Sequence, residues 1–148
     1  MVSTPSAPER IINLLFVCVE NSNRSQIAEA FVRANSGENV EAFSAGSNPS
    51  GTVNEKAIAA MKERGIDISS QTSKGLEDLP IREWDFVVTM GCGDRCPHLP
   101  ARNREDWELP DPRDMDEIAF AGVRNEIERR ALDLLARARV STGQMEKV

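Results

Sequence analysis

The stretch from Leu14 to Ala28 constrains the fold more than any other part of this chain. The apolar run from Ile11 to Val17, broken only by Asn13, has the length and residue types of a buried strand. Cys18 follows, and then a loop in which Asn21, Ser22 and Asn23 favour turn and N-cap geometry, because their side chains compete for backbone donors. From Arg24 onward Ile27, Ala28, Phe31 and Ala34 recur at helical spacing, and Gly37 marks the stop. A strand that enters a helix through so short a loop aims backbone N–H groups and the positive helix end at one point. That point is an anion site. Cys18 stands at its mouth, and Arg24 supplies a planar fork suited to a tetrahedral oxyanion. The same field favours a thiolate, which makes Cys18 the candidate nucleophile. Asn21, Ser22, Asn23, Arg24 and Ser25 form the candidate oxyanion-binding set, with Ser25 placed to donate to the sulfur and Asn21 to brace the loop.

The rest of the chain alternates strands and helices. Val40 to Ala45 reads as a second strand, and Asn54 caps a helix that runs to about Arg64 and stops at Gly65. Ile66 and Ile68 flank Asp67 in a short extended piece, and Leu76 to Leu79 reads as a helical turn before Pro80. Phe86 to Met90 is apolar without alternation, the pattern of a central parallel strand. Gly91 to Pro97 is loop, and Asp106 to Leu109 reads as a last short strand before Pro110. A long amphipathic helix spans Asp114 to about Arg139, with Ile118, Val123, Ile127, Ala131, Leu134, Leu135 and Ala138 on its apolar face. This order predicts an α/β fold, an open parallel sheet whose ligands bind at the carboxyl ends of the strands. Residues 11–139 are expected to form one domain, with 1–10 and 140–148 as flexible tails.

Composition narrows the function. A net charge of -6 argues against nucleic acid and anionic membranes as partners, so an anionic substrate must be captured by a local site. No apolar run is long enough to span a membrane, and the first ten residues lack the apolar core of a signal peptide. A cytoplasmic location is the default expectation. Three cysteines in such a chain are free or redox-active thiols rather than a disulfide framework. Cys92 and Cys96 would need further ligands to hold zinc, and only His98 and Cys18 are left, so no metal and no cofactor is expected. They read either as two inert loop thiols or as a pair that resolves a disulfide formed on Cys18. Asp111 lies between Pro110 and Pro112, which gives either a rigid turn with a solvated carboxylate or a carboxyl fixed in one direction.

Cys18-Val19-Glu20-Asn21-Ser22-Asn23-Arg24-Ser25 resembles the phosphate-binding loop of the low-molecular-weight tyrosine phosphatase superfamily. The continuation Gln26-Ile27-Ala28-Glu29-Ala30-Phe31 is more similar to its arsenate-reductase branch, and Ser44-Ala45-Gly46, Gly65 to Ser69, Val87 to Met90 and Leu109 to Pro112 extend the resemblance. The resemblance implies three layers, with four parallel strands flanked by helices and the Cys18 loop at the point where strand order reverses. It implies Cys18 as nucleophile, Arg24 as oxyanion ligand, Asp111 as general acid, and Cys92 and Cys96 as the resolving pair reduced by a thioredoxin-like partner. Arsenate is then the substrate, with phosphate or sulfate as competing anions. A phosphotyrosine phosphatase is the first rival, and a phosphocysteine carrier or oxyanion-binding module without turnover the second. Phosphatase relatives carry tyrosines after the Asp-Pro pair, whereas here Arg113 and Asp114 follow and the chain has no tyrosine. Three more departures bear on the site. Asn23 stands where many phosphatases have a second cysteine. Lys74 stands where some reductases have an aspartate that helps bind potassium, which places its ammonium either near Glu29 and Ser44 or in solvent. Glu20 puts a carboxylate into the anion loop, tolerable if it points outward.

Overall fold

The computed structural model describes residues 11–80, 83–91 and 99–141. Four parallel strands form one open sheet: β1 (Ile12–Cys18), β2 (Val40–Gly46), β3 (Phe86–Thr89) and β4 (Asn103–Asp106). Three helices accompany them, α1 (Arg24–Asn35), α2 (Glu55–Lys62) and α3 (Glu117–Ser141), with a 3-10 turn at Leu76–Asp78. The strand order is β2-β1-β3-β4, so the chain leaves β1 toward one edge and later crosses to the other. The reversal falls beside β1, at whose carboxyl end Cys18 lies opposite Gly46 of β2.

The alternation of β1 divides the core. Leu14, Phe16 and Cys18 join Ile27 and Phe31 of α1, Met61 of α2, and Ile127 and Leu134 of α3 in one apolar cluster. Leu15 and Val17 face the other way, against Trp84 and Val87, where Leu76, Leu79, Leu99 and Ala101 cover them. Both faces of β1 are therefore dry, as its unbroken apolar run requires. Asn13, the one interruption, donates its backbone N–H to Asp85 Oδ2 at 2.8 Å and its side-chain amide to the Glu83 carbonyl.

Two expectations shift. The last strand lies at Asn103–Asp106, not at Asp106 to Leu109. An edge strand pairs on one side only, and charged residues there protect the open side, so Arg104, Glu105 and Asp106 suit it. The apolar Trp107 and Leu109 are buried beyond the strand end, with Trp107 against the Phe16 ring. In α3, Ile118 is 87% exposed and Phe120 is buried in its place. The helix starts at Glu117 rather than Asp114, and its first turn overhangs the core. The 91–97 loop with Cys92 and Cys96, and most of both tails, lie outside the described residues, and Gly91 alone of that loop is seen. Among the described residues no helix is long and apolar enough to cross a membrane.

Candidate active site

The loop between β1 and α1 closes on itself through side chains. Asn21 takes a left-handed backbone conformation, with φ of 52°, and is wholly buried. Its amide donates to Ser25 Oγ at 2.7 Å, and its Oδ1 accepts from Gln26 Nε2 at 2.9 Å and from the Lys74 backbone N–H at 3.0 Å. Ser25 Oγ in turn lies 2.8 Å from Cys18 Sγ. The serine oxygen accepts from Asn21, and its one hydrogen is free to point at the sulfur.

Arg24 opens α1 and is buried, with Nη1 donating to the Met90 carbonyl at 2.7 Å and to the Leu109 carbonyl at 2.9 Å. These bonds anchor one end of the guanidinium to the segments that follow β3 and β4. The fork stays pre-ordered for an anion, with little rotamer freedom left to lose. Two glycines make room for this. A side chain at Gly46 would place a Cβ 2.4 Å from the Val19 carbonyl oxygen, so β2 can lie against the loop only without one. Gly91 has φ of 71°, and a Cβ there would meet the Leu109 carbonyl oxygen at 3.1 Å and Arg24 Nη1 at 3.2 Å.

A cavity of about 400 Å³ opens over the loop, lined by Cys18, Ser22, Asn23, Arg24, Gly91 and Asp111, with Glu20 and Arg113 also on its wall. Cys18 is only 2% exposed and lines this cavity. Asn23 occupies the N-cap position without a capping hydrogen bond from its side chain, and its Oδ1 has no partner among the described residues. Asp111 is exposed, and its Oδ1 accepts from the Arg113 backbone N–H at 3.0 Å, a local turn that fixes the carboxylate. The fold thus brings Cys18, Asn21, Ser22, Asn23, Arg24, Ser25 and Asp111 to one place, while Cys92 and Cys96 lie outside the described residues.

The two charged departures find partners. Glu20 does not simply face solvent, for its Oε2 lies 3.1 Å from Arg113 Nη1 at the cavity wall. Lys74 Nζ sits 3.9 Å from Oε1 of Glu29, a carboxylate that also takes Ser44 Oγ at 2.6 Å and Arg33 at 3.0 Å. Of the two placements open to it, the ammonium takes the one near Glu29 and Ser44. Burial pushes the Lys74 ammonium down from its usual pKa, against the opposing pull of Glu29. The periodicity of α1 gave no hint of Gln26, buried in the first turn and bridging Asn21 to the Thr72 carbonyl at 2.8 Å. Only the proximity of several amides in sequence signals it.

Comparison with known proteins places this geometry. Residues 13–144 match the family described as low molecular weight phosphotyrosine protein phosphatase. An arsenate reductase of Staphylococcus xylosus is 43% identical over 117 residues, covering 77% of this chain and 88% of that protein. A glutaredoxin arsenate reductase of Synechocystis is 37% identical over 127 residues, covering 84% and 96%. Among solved structures, an arsenate reductase in a phosphate-binding state superposes with a TM-score of 0.77 at 36% identity, over 86% of this chain and 99% of that one. A thioredoxin-dependent arsenate reductase of Corynebacterium glutamicum gives 0.76 at 37% identity, over 91% of this chain and 65% of that one. The chain belongs to the low molecular weight phosphotyrosine protein phosphatase family, in its arsenate-reductase branch.

Proposed function

We propose that this protein reduces arsenate to arsenite through Cys18 and a disulfide relay. The observation that carries the reading is the Cys18 sulfur 2.8 Å from Ser25 Oγ, under a cavity that Arg24 and Asp111 also line, in a chain whose relatives are named arsenate reductases. Arsenate binds over the Asn21 to Ser25 loop with its oxygens toward Arg24. The Cys18 thiolate attacks arsenic, and Asp111 protonates the oxygen that leaves as water. Cys92 then attacks the Cys18 sulfur. The electron pair of the sulfur–arsenic bond stays on arsenic, which departs as arsenite, and a Cys18–Cys92 disulfide remains. Cys96 attacks Cys92, releasing the Cys18 thiolate, and an external dithiol reduces the Cys92–Cys96 disulfide.

A thioredoxin-like protein is the proposed donor. The Corynebacterium glutamicum neighbour favours it, whereas the Synechocystis relative is a glutaredoxin arsenate reductase. A relay of free thiols works in a reducing compartment, so the proposed location is the cytoplasm, with residues 11–139 as the single working domain. Phosphate and sulfate share arsenate's tetrahedral shape and are its proposed competitors. Turnover with arsenate and thioredoxin, glutaredoxin or a low-molecular-weight thiol, each supplied separately, tests the donor. Steady arsenite formation with thioredoxin alone is expected. Turnover with glutaredoxin alone would reverse the assignment. Hydrolysis of aryl phosphates is the second reading, supported by the shared family and by the same Cys18, Arg24 and Asp111.

A further inference from the structure

The segment that carries Asp111 is tied down on both sides of it. Upstream, the Leu109 carbonyl accepts from Arg24 Nη1 at 2.9 Å. Downstream, the carbonyls of Arg113 and Met115 both accept from Lys56 Nζ of α2 at 3.0 Å. Across the cavity, the Arg113 guanidinium meets Glu20 at 3.1 Å, and the Arg113 backbone N–H is the donor that orients the Asp111 carboxylate. Glu20 is itself held, because its carbonyl accepts from the Ser50 N–H at 3.0 Å and from Ser73 Oγ at 2.9 Å. Arg113 has a second, looser neighbour in Asp114, at 4.0 Å.

An ion pair as open as this one, with 55% of the Arg113 side chain and 34% of that of Glu20 exposed, adds little to stability. Its place is more informative than its strength, since it joins a side chain of the nucleophile loop to a side chain of the acid segment. Removing the Arg113 guanidinium would leave the acid segment held by its backbone carbonyls alone and free its turn to shift against the loop. We propose that Glu20 and Arg113 are a positioning pair that sets the reach of the Asp111 carboxyl over the Cys18 loop. The pair acts through Asp111 and does not itself hold the oxyanion. This rests on the reading of Asp111 as general acid.

Single-turnover arsenite release by the reduced full-length protein, over a range of arsenate concentrations, tests it. Arg113→Ala and Glu20→Gln should each lower the saturating rate by about tenfold, with the arsenate concentration at half-saturation moving less than about twofold. Reversing the pair, Glu20→Arg with Arg113→Glu, should recover most of the rate. In an Asp111→Asn background Arg113→Ala should cost less than about twofold more, the signature of two groups acting as one. Inorganic phosphate affinity, measured by calorimetry, should be retained in Arg113→Ala. An equal loss in the parent and Asp111→Asn backgrounds, or a tenfold loss of phosphate affinity, would make Arg113 an anion contact and overturn the proposal. So would an unchanged rate in Arg113→Ala. If Asp111→Asn itself leaves the rate untouched, the acid assignment fails, and the pair has nothing to position.

Discussion

At the scale of single residues, hydrogen bonds link Gln26, Asn21, Ser25 and Cys18 in one chain that ends at the sulfur. Ser25→Ala removes the donor next to the sulfur and leaves the Asn21 amide without its acceptor. In a Cys92→Ser/Cys96→Ser background the Ser25→Ala change should slow alkylation of Cys18 at neutral pH by about tenfold, since a hydrogen bond to a charged group contributes about 1.5–3 kcal/mol. An unchanged rate would mean that the hydroxyl does not serve the thiolate. Lys74 makes a second prediction. Its ammonium lies against Glu29 and is taken to stand in for potassium, so exchanging potassium for sodium at constant ionic strength should alter turnover by less than about twofold. Lys74→Asp should introduce a potassium response, and a strong response in the parent would contradict the substitution. Cys18, Arg24 and Ser25 were legible in the sequence because strand, loop and helix start are local patterns. The carbonyls that hold Arg24 were not, since they belong to Met90 and Leu109, 66 and 85 positions further on. Side-chain periodicity says nothing about backbone acceptors that only the folded sheet brings near.

Elements were legible where burial is two-sided and obscure where it is not. β1 and β3 stand in the middle of the sheet, and their apolar runs mark them plainly. β4 is an edge, so its charged residues hide it, while Trp107 and Leu109 imitate a strand that the chain forms three positions earlier. Ile118 misled in the same way, as an apolar residue at helical spacing on a turn that projects past the core. Besides its pairing with β3, β4 is joined to α3 by Glu105, whose two oxygens accept from Arg137 Nη1 and Nη2 at 2.9 Å each. Trp107 Nε1 adds a third donor at 2.8 Å. The Arg137 hydrogen bonds, then that of Trp107, hold the Glu105 carboxyl below its usual pKa of 4.5, against the opposing effect of burial. The unfolded chain therefore binds the proton more readily than the folded one. The stabilisation is full above the unfolded value and is lost as the pH falls through the lowered folded value. Glu105→Gln should cost about 0.5–1 kcal/mol at neutral pH, a fall of about 2–4 °C in Tm. Thermal melts of parent and variant should converge as the pH falls below the usual carboxylate range and the parent's carboxylate is protonated. A gap that stays constant with pH would show that shape, not charge, joins β4 to α3.

For the whole molecule, the order β2-β1-β3-β4 explains why one site serves the chemistry. The Cys18 loop leaves β1 where the chain switches sides, and the segments after β3 and β4 bring the Met90 and Leu109 carbonyls and Asp111 to the same end. In sequence, Cys92 and Cys96 follow β3, a short way along the chain from the Arg24 anchor at Met90, and join Cys18 as the chain's other two thiols. In the proposed mechanism, hydrolysis of a phosphate ester would need only Cys18, Arg24 and Asp111. Reduction of arsenate needs two electrons, and one thiol cannot return them as an intramolecular disulfide. On the proposed relay, the two cysteines are where reductase and phosphatase part. The decisive measurement is arsenite release in a single turnover, without external thiol, by Cys92→Ser and Cys96→Ser, followed by disulfide mapping. Cys92→Ser should stop at the Cys18 adduct and release none. Cys96→Ser should release about one arsenite per protein and stall as Cys18–Cys92, because the first exchange precedes the second. A full burst from Cys92→Ser with none from Cys96→Ser would reverse the order of attack, and parental turnover by both variants with the thioredoxin system would contradict the relay outright.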